Sequence, residues 1–89
     1  MKAIVTVVGK DQVGIIAAVC THLANNNINI LDIRQTVMQG YFTMMMVVDV
    51  SGSTLPLAEL SQVMEEVGKE MNLHIRLQRE DIFNAMHRV

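Results

Sequence analysis

Apolar positions along this chain switch repeatedly between two spacings, every second residue and every third or fourth, and each switch marks an element. Residues 2–8 are rich in Val and Ile, carry no helix signal and predict a buried strand. From Gly14 to about Asn25, Ile16, Val19, Cys20 and Leu23 recur as on one face of a helix. Asn25-Asn26-Asn27 ends it, because Asn tolerates the left-handed conformation and competes for backbone hydrogen bonds. Between Ile28 and Gln39 both alternating sets carry polar residues, which predicts a strand at a sheet edge or one running past its own core. Gln39-Gly40 then forms a tight turn into a strand over residues 41–50, giving a β-hairpin.

Ser51-Gly52-Ser53-Thr54 reads as a loop that also offers an N-cap, and Pro56 suits the first turn of a helix. Leu57, Leu60, Met64, Val67 and Met71 form its apolar stripe, with Glu59, Glu65, Glu66 and Glu70 on the solvated side. After Asn72, the alternation of Leu73, Ile75 and Leu77 with His74, Arg76 and Gln78 predicts a last strand. Asp81 can cap a short terminal helix in which Ile82, Phe83, Met86 and Val89 share a face.

The order is strand, helix, strand, strand, helix, strand, helix. It predicts an α+β fold, a ferredoxin-like βαββαβ sandwich with a four-stranded antiparallel sheet, plus a short C-terminal helix. Residues 1–80 are expected to form the domain and residues 81–89 the amphipathic helix. Both helices cover one face of such a sheet, and the other is left bare. In the strand over 41–50, Phe42, Met44, Met46, Val48 and Val50 would pack on the helices, but Tyr41, Met45 and Val47 lie opposite. The first strand is also apolar on both faces, Ile4 and Val8 on one, Val5 and Val7 on the other. Apolar surface contributes roughly 25 cal/mol per Å² when covered, so the terminal helix, a second subunit or both are expected to cover this face.

With 89 residues the chain makes one domain of modest core, and self-association is the expectation. Its net charge is −2 and its Lys and Arg are scattered, which is not the footprint of a nucleic-acid binder. No apolar run approaches the ~20 residues of a membrane span, and the single cysteine, Cys20, points to no oxidising compartment; a cytoplasmic protein is expected. His22, His74 and His87 have no metal-ligand spacing, so no metal is expected. Met44-Met45-Met46 alternates faces in a strand and reads as packing rather than a soft-metal site. Cys20 and His22, two apart on a helix, point to different faces. Glu65-Glu66 is an ordinary solvated surface. No constellation supports catalysis or a cofactor.

The most informative run is Val7-Val8-Gly9-Lys10-Asp11-Gln12-Val13-Gly14-Ile15-Ile16, where a strand breaks into a polar turn and a helix begins behind the second glycine. Backbone amides at such a junction can receive a small anion, and the helix dipole favours it. A nucleotide phosphate loop is excluded, since Ile15-Ile16 stand where Lys-Ser/Thr would be required. Gly9 and Gly14 serve either backbone geometry alone or geometry together with ligand contact. Asp11 suits a turn or a ligand equally, and Asn29 either bonds neighbouring backbone or a ligand.

This loop, followed by Leu23 and by Asn27-Ile28-Asn29-Ile30 opening the second strand, resembles the ACT domain family over residues 1–80. The whole chain, including Gln78 through Arg88, resembles small stand-alone bacterial and archaeal ACT proteins. The resemblance implies a ligand, usually an amino acid, held between the first strand-to-helix loop of one subunit and the second strand of a neighbour. On this chain the loop residues are Gly9, Asp11, Gln12, Val13 and Gly14, and the facing residues are Asn29 and Ile30. Gly14 and the following amides would take a carboxylate, Asp11 an ammonium group, and the Asn29 amide would donate and accept. With no catalytic domain attached, regulation would act on a partner protein. The leading expectation is therefore a homodimeric regulatory module for a small polar effector. A ligand-free interaction module is the alternative, and a small enzyme a weaker third.

Overall fold

The computed structural model describes residues 1–86. The elements are β1 (Lys2–Lys10), α1 (Ile15–Asn25), β2 (Asn29–Met38), β3 (Tyr41–Asp49), α2 (Leu57–Glu70), β4 (Leu73–Arg79) and α3 (Glu80–Met86). This is the predicted ferredoxin-like order, with the strands arranged β2-β3-β1-β4 and every pairing antiparallel. Val89, assigned from sequence to the terminal helix face, lies outside the described residues. The connections turn where left-handed backbone is tolerated, at Asn27 (φ 61°), at Gln39-Gly40 (φ 50° and 83°) and at Asn72 (φ 56°).

β1 is central because its core face carries only small and β-branched side chains. Ala3, Val5 and Val7 are fully buried, between Met44, Met46 and Val48 of β3 and Ile75 and Leu77 of β4. α1 contributes Ile15, Val19 and Leu23 to this core, and α2 contributes Leu60, Met64 and Val67. The expected α1 face is thus rotated by one position: Ile15, not Ile16, is the buried residue of the first turn. Neither Ser51, Ser53 nor Thr54 caps α2. Pro56 occupies the N-cap with no side-chain hydrogen bond, and the Ser53 hydroxyl donates to the Leu55 carbonyl instead.

β2 departs from a plain alternation. A bulge between Ile30 and Asp32 shifts its register against β3, which moves Ile33, Gln35 and Val37 to the helix side, opposite Met46, Met44 and Phe42. All three stay exposed. Apart from half-buried Ile30, every residue of β2 is exposed, as expected of an edge strand.

The bare face is covered in part. α3 packs against β1 and β4, and the Gln78 amide donates to the Met86 sulfur. At that end lies Ile4, the one buried residue on the outer face among those described. Val8, Tyr41 and Met45, further along, stay exposed. Two carboxylates fasten the chain ends. The backbone N–H and hydroxyl of Ser51, with the amino terminus, hold Asp49 below the ordinary carboxylate value, and the Arg79 guanidinium does the same for Asp81.

Two results are expected from these contacts. A Cβ on Gly68 would stand 2.7 Å from the Leu73 carbonyl oxygen and 3.1 Å from Ile75 Cγ1. Gly68→Ala should therefore destabilise by roughly 1–3 kcal/mol in urea unfolding, overriding the ~1 kcal/mol that alanine normally adds inside a helix. A depressed carboxylate contributes stability above its unfolded pKa, and that stability is lost as pH falls through the folded value. Ser51→Ala should raise the Asp49 titration midpoint, followed by carboxyl carbon NMR, and leave Asp81 unmoved.

Candidate functional site

The loop between β1 and α1 owes its path to two close constraints. At Gly9 a Cβ would stand 2.6 Å from Leu73 Cδ2 and 3.3 Å from the Asn72 carbonyl oxygen, so the end of β1 passes hard against the start of β4. Gly14 sits at the N-cap of α1 with φ 89°, a conformation that costs an L-residue about 1–2 kcal/mol. Open space surrounds its missing Cβ, so backbone angle rather than crowding requires glycine there. The Asp11 backbone N–H donates to the Gly40 carbonyl (2.8 Å), which ties the loop to the β2–β3 turn. The Gln12 side-chain amide donates to the Met71 carbonyl at the end of α2 (2.8 Å).

Beside this loop lies an open groove of about 350 Å³ between α1 and the overhanging β2. Asp11, Gln12, Gly14, Ile15 and Ile16 form one side, and Gln35, Val37 and Phe42 the other. The first hydrogen bond of α1 runs from Ala18 N–H to the Gly14 carbonyl, which leaves the amides of Ile15, Ile16 and Ala17 without backbone acceptors at the groove. No acidic residue stands in the first turn of α1 to occupy them. The Asp11 carboxylate accepts no hydrogen bond among the described residues. One end of the groove therefore offers donors, a carboxylate and the Gln35 amide, and its walls are aliphatic and aromatic.

Of the residues expected from sequence, Asp11, Gln12 and Gly14 line the groove. Gly9 sets the loop's path beneath it, and Val13 stands fully exposed at the tip. Asn29 and Ile30 are elsewhere. They pair with Asp49 and Val48, at the end of the sheet opposite the loop. Sequence reasoning overlooked Gln35, Val37 and Ile16. The bulge that turns Gln35 and Val37 toward α1 leaves no mark in the alternation, and Ile16 reads as core because it is apolar and one position from Ile15. Among the described residues no cluster of His, Cys, Asp and Glu could hold a metal ion, and no helix is long and apolar enough to cross a membrane.

The sequence profile of the ACT domain matches residues 2–78, and the chain belongs to the ACT domain family. ACT domains are typically small modules that bind ligands and regulate. A UPF0237 protein of Clostridium perfringens is 52% identical over the full length of both chains. One of the archaeon Methanocaldococcus jannaschii is 43% identical over 99% of this chain and 98% of its own. Among solved structures, an ACT domain protein from Streptococcus pneumoniae superposes with a TM-score of 0.83 at 46% identity, covering 98% of each chain. A putative glycine cleavage system transcriptional repressor shares the fold alone, with a TM-score of 0.74 at 24% identity over 88% of this chain and 44% of that one.

The loop's demand on Gly14 can be measured by itself. Gly14→Ala should lower unfolding free energy by about 1–2 kcal/mol in urea. Val13→Ala, at a fully exposed tip, should change it by less than about 0.5 kcal/mol.

Proposed function

We propose that the chain is a regulatory module that binds a small polar effector, an amino acid, at a homodimer interface and acts on a partner protein. The observation that carries this reading is the groove: helix-terminal amides, an unengaged carboxylate and an apolar wall meet where one side is an unpaired strand. A carboxylate fits the amides of Ile15–Ala17, an ammonium group fits Asp11, and a side chain fits against Ile16, Val37 and Phe42. The described residues lining the groove include no nucleophile–base pair, and the reading is of a binder rather than an enzyme, in a cytoplasmic setting.

β2 supports the dimer. It is ten residues long, exposed on both faces and unpaired along one edge, an arrangement that monomeric proteins avoid. Antiparallel pairing of two β2 edges about a two-fold axis exchanges the ends of the strand. That exchange carries Asn29 and Ile30 of a second copy toward the loop end of the first, the end they do not reach within one chain. The division of the chain into a domain over 1–80 and a covering helix over 81–89 is kept in this reading, with α3 closing the outer face rather than the groove.

Calorimetric titration with the twenty amino acids should find at least one that binds. Asp11→Ala should weaken it by about tenfold or more, the scale of one charge-assisted hydrogen bond, with no loss of thermal stability. Sedimentation should show a dimer at micromolar concentration, and Val37→Glu should dissociate it. Absence of any binding with the dimer intact would leave the same fold as a ligand-free interaction module.

A further inference from the structure

The outer face of the sheet beyond α3 is apolar in the middle and basic at its edges. Val8, Tyr41 and Met45 form the centre, 47%, 60% and 43% exposed, with Val8 paired to Thr43 between the other two. One row of the sheet runs Arg34–Met45–Thr6–Arg76, which sets an arginine on each edge strand, ~14 Å apart across three strand spacings. Lys10 and His74 extend the same sector. Arg34, Arg76 and Lys10 make no ion pair among the described residues. Two acids share this face, Asp32 one row from Arg34 and Asp49 beyond it toward the far end. Asp49 is held by Ser51 and the amino terminus, and Asp32 accepts the Ile33 N–H.

We propose that this sector is a docking surface for an acidic segment of a partner protein that also carries apolar side chains, laid across the strands between Arg34 and Arg76. Guanidinium groups take carboxylates in bidentate pairs, and an exposed methionine adapts to varied apolar side chains. The solvated side of α2 carries Glu59, Glu65, Glu66 and Glu70 against one lysine, Lys69, and repels such a segment, so the partner's charge favours the outer face over the helix face. A second copy fits poorly, because a two-fold pair on this face sets one basic rim against another. A single-stranded nucleic acid would find one exposed aromatic ring here, Tyr41, to stack on. The inference rests on the partner-directed half of the proposed function and shares only strand β2 with the amino-acid groove.

Fluorescence anisotropy with a labelled peptide of alternating Glu and Leu tests it, against Glu-Ser and Lys-Leu peptides and oligothymidylate, at physiological ionic strength. The Glu-Leu peptide should bind at least about tenfold more tightly than each of the others. Arg34→Glu combined with Arg76→Glu should remove that binding. Met45→Ser should weaken it, with Arg34→Gln combined with Arg76→Gln as a milder pair if the reversal impairs folding. Equal binding of the Glu-Ser peptide, tighter binding of oligothymidylate, or indifference to the arginine substitutions would overturn the proposal. Arg34 stands on the β2 edge of the proposed dimer, so sedimentation of the variants reads that dimer, and amino-acid titration of Arg76→Glu alone, on β4, reads the groove without touching it.

Discussion

Everything distinctive about this molecule follows from where the two long helices sit on the sheet. α1 and α2 bury the helix-side residues of β1, β3 and β4, and their apolar stripes are used up doing so. β2 is left projecting past α1. Its helix-side residues Ile33, Gln35 and Val37 then face the flank of α1 across open space rather than packed side chains. The groove and the exposure of Ile33 and Val37 are consequences of this one mismatch, and the strand order leaves β2 unpaired along its other edge. A single chain folds stably around its core and still presents an unfinished side.

The central strand couples that unfinished side to the core. β1 is hydrogen-bonded on both edges and buries Ala3, Val5 and Val7, so its end at Lys10 is fixed in position. From there the loop is held by Gly40 on one side and by Met71 on the other. Gln12 is therefore already occupied as a tether between the loop and the end of α2, whereas Asp11 remains available. The two neighbours in sequence differ, one holding the loop and the other lining the groove with its carboxylate unbonded among the described residues. A loop so constrained presents the first amides of α1 in a fixed arrangement, which would lower the entropic cost of the binding proposed for it.

The fold was legible in the sequence because burial imposes period on both sides of an element. Ile4 and Val8 against Val5 and Val7 in β1, and the even-numbered residues of β3 from Phe42 to Val48, face as their alternation predicts. α2 follows its stripe for the same reason. The site was legible only in part. Gly9 and Gly14 announced the turn, since tight approach and positive φ restrict which residue can stand there. Gln35 and Val37 could not be assigned, because an edge strand exposed on both faces has no period to read and a bulge resets its facing without changing composition. Asn29 and Ile30 lie at the far end of their own sheet, and only a second molecule can bring such residues to the loop.

Isotope-filtered NMR on a mixture of labelled and unlabelled protein shows whether a second molecule completes the groove. With a bound amino acid, intermolecular contacts are expected between residues 11–16 of one copy and Asn29 and Ile30 of the other. Intermolecular contacts that involve neither segment, or a ligand contacted by one copy alone, would contradict that arrangement.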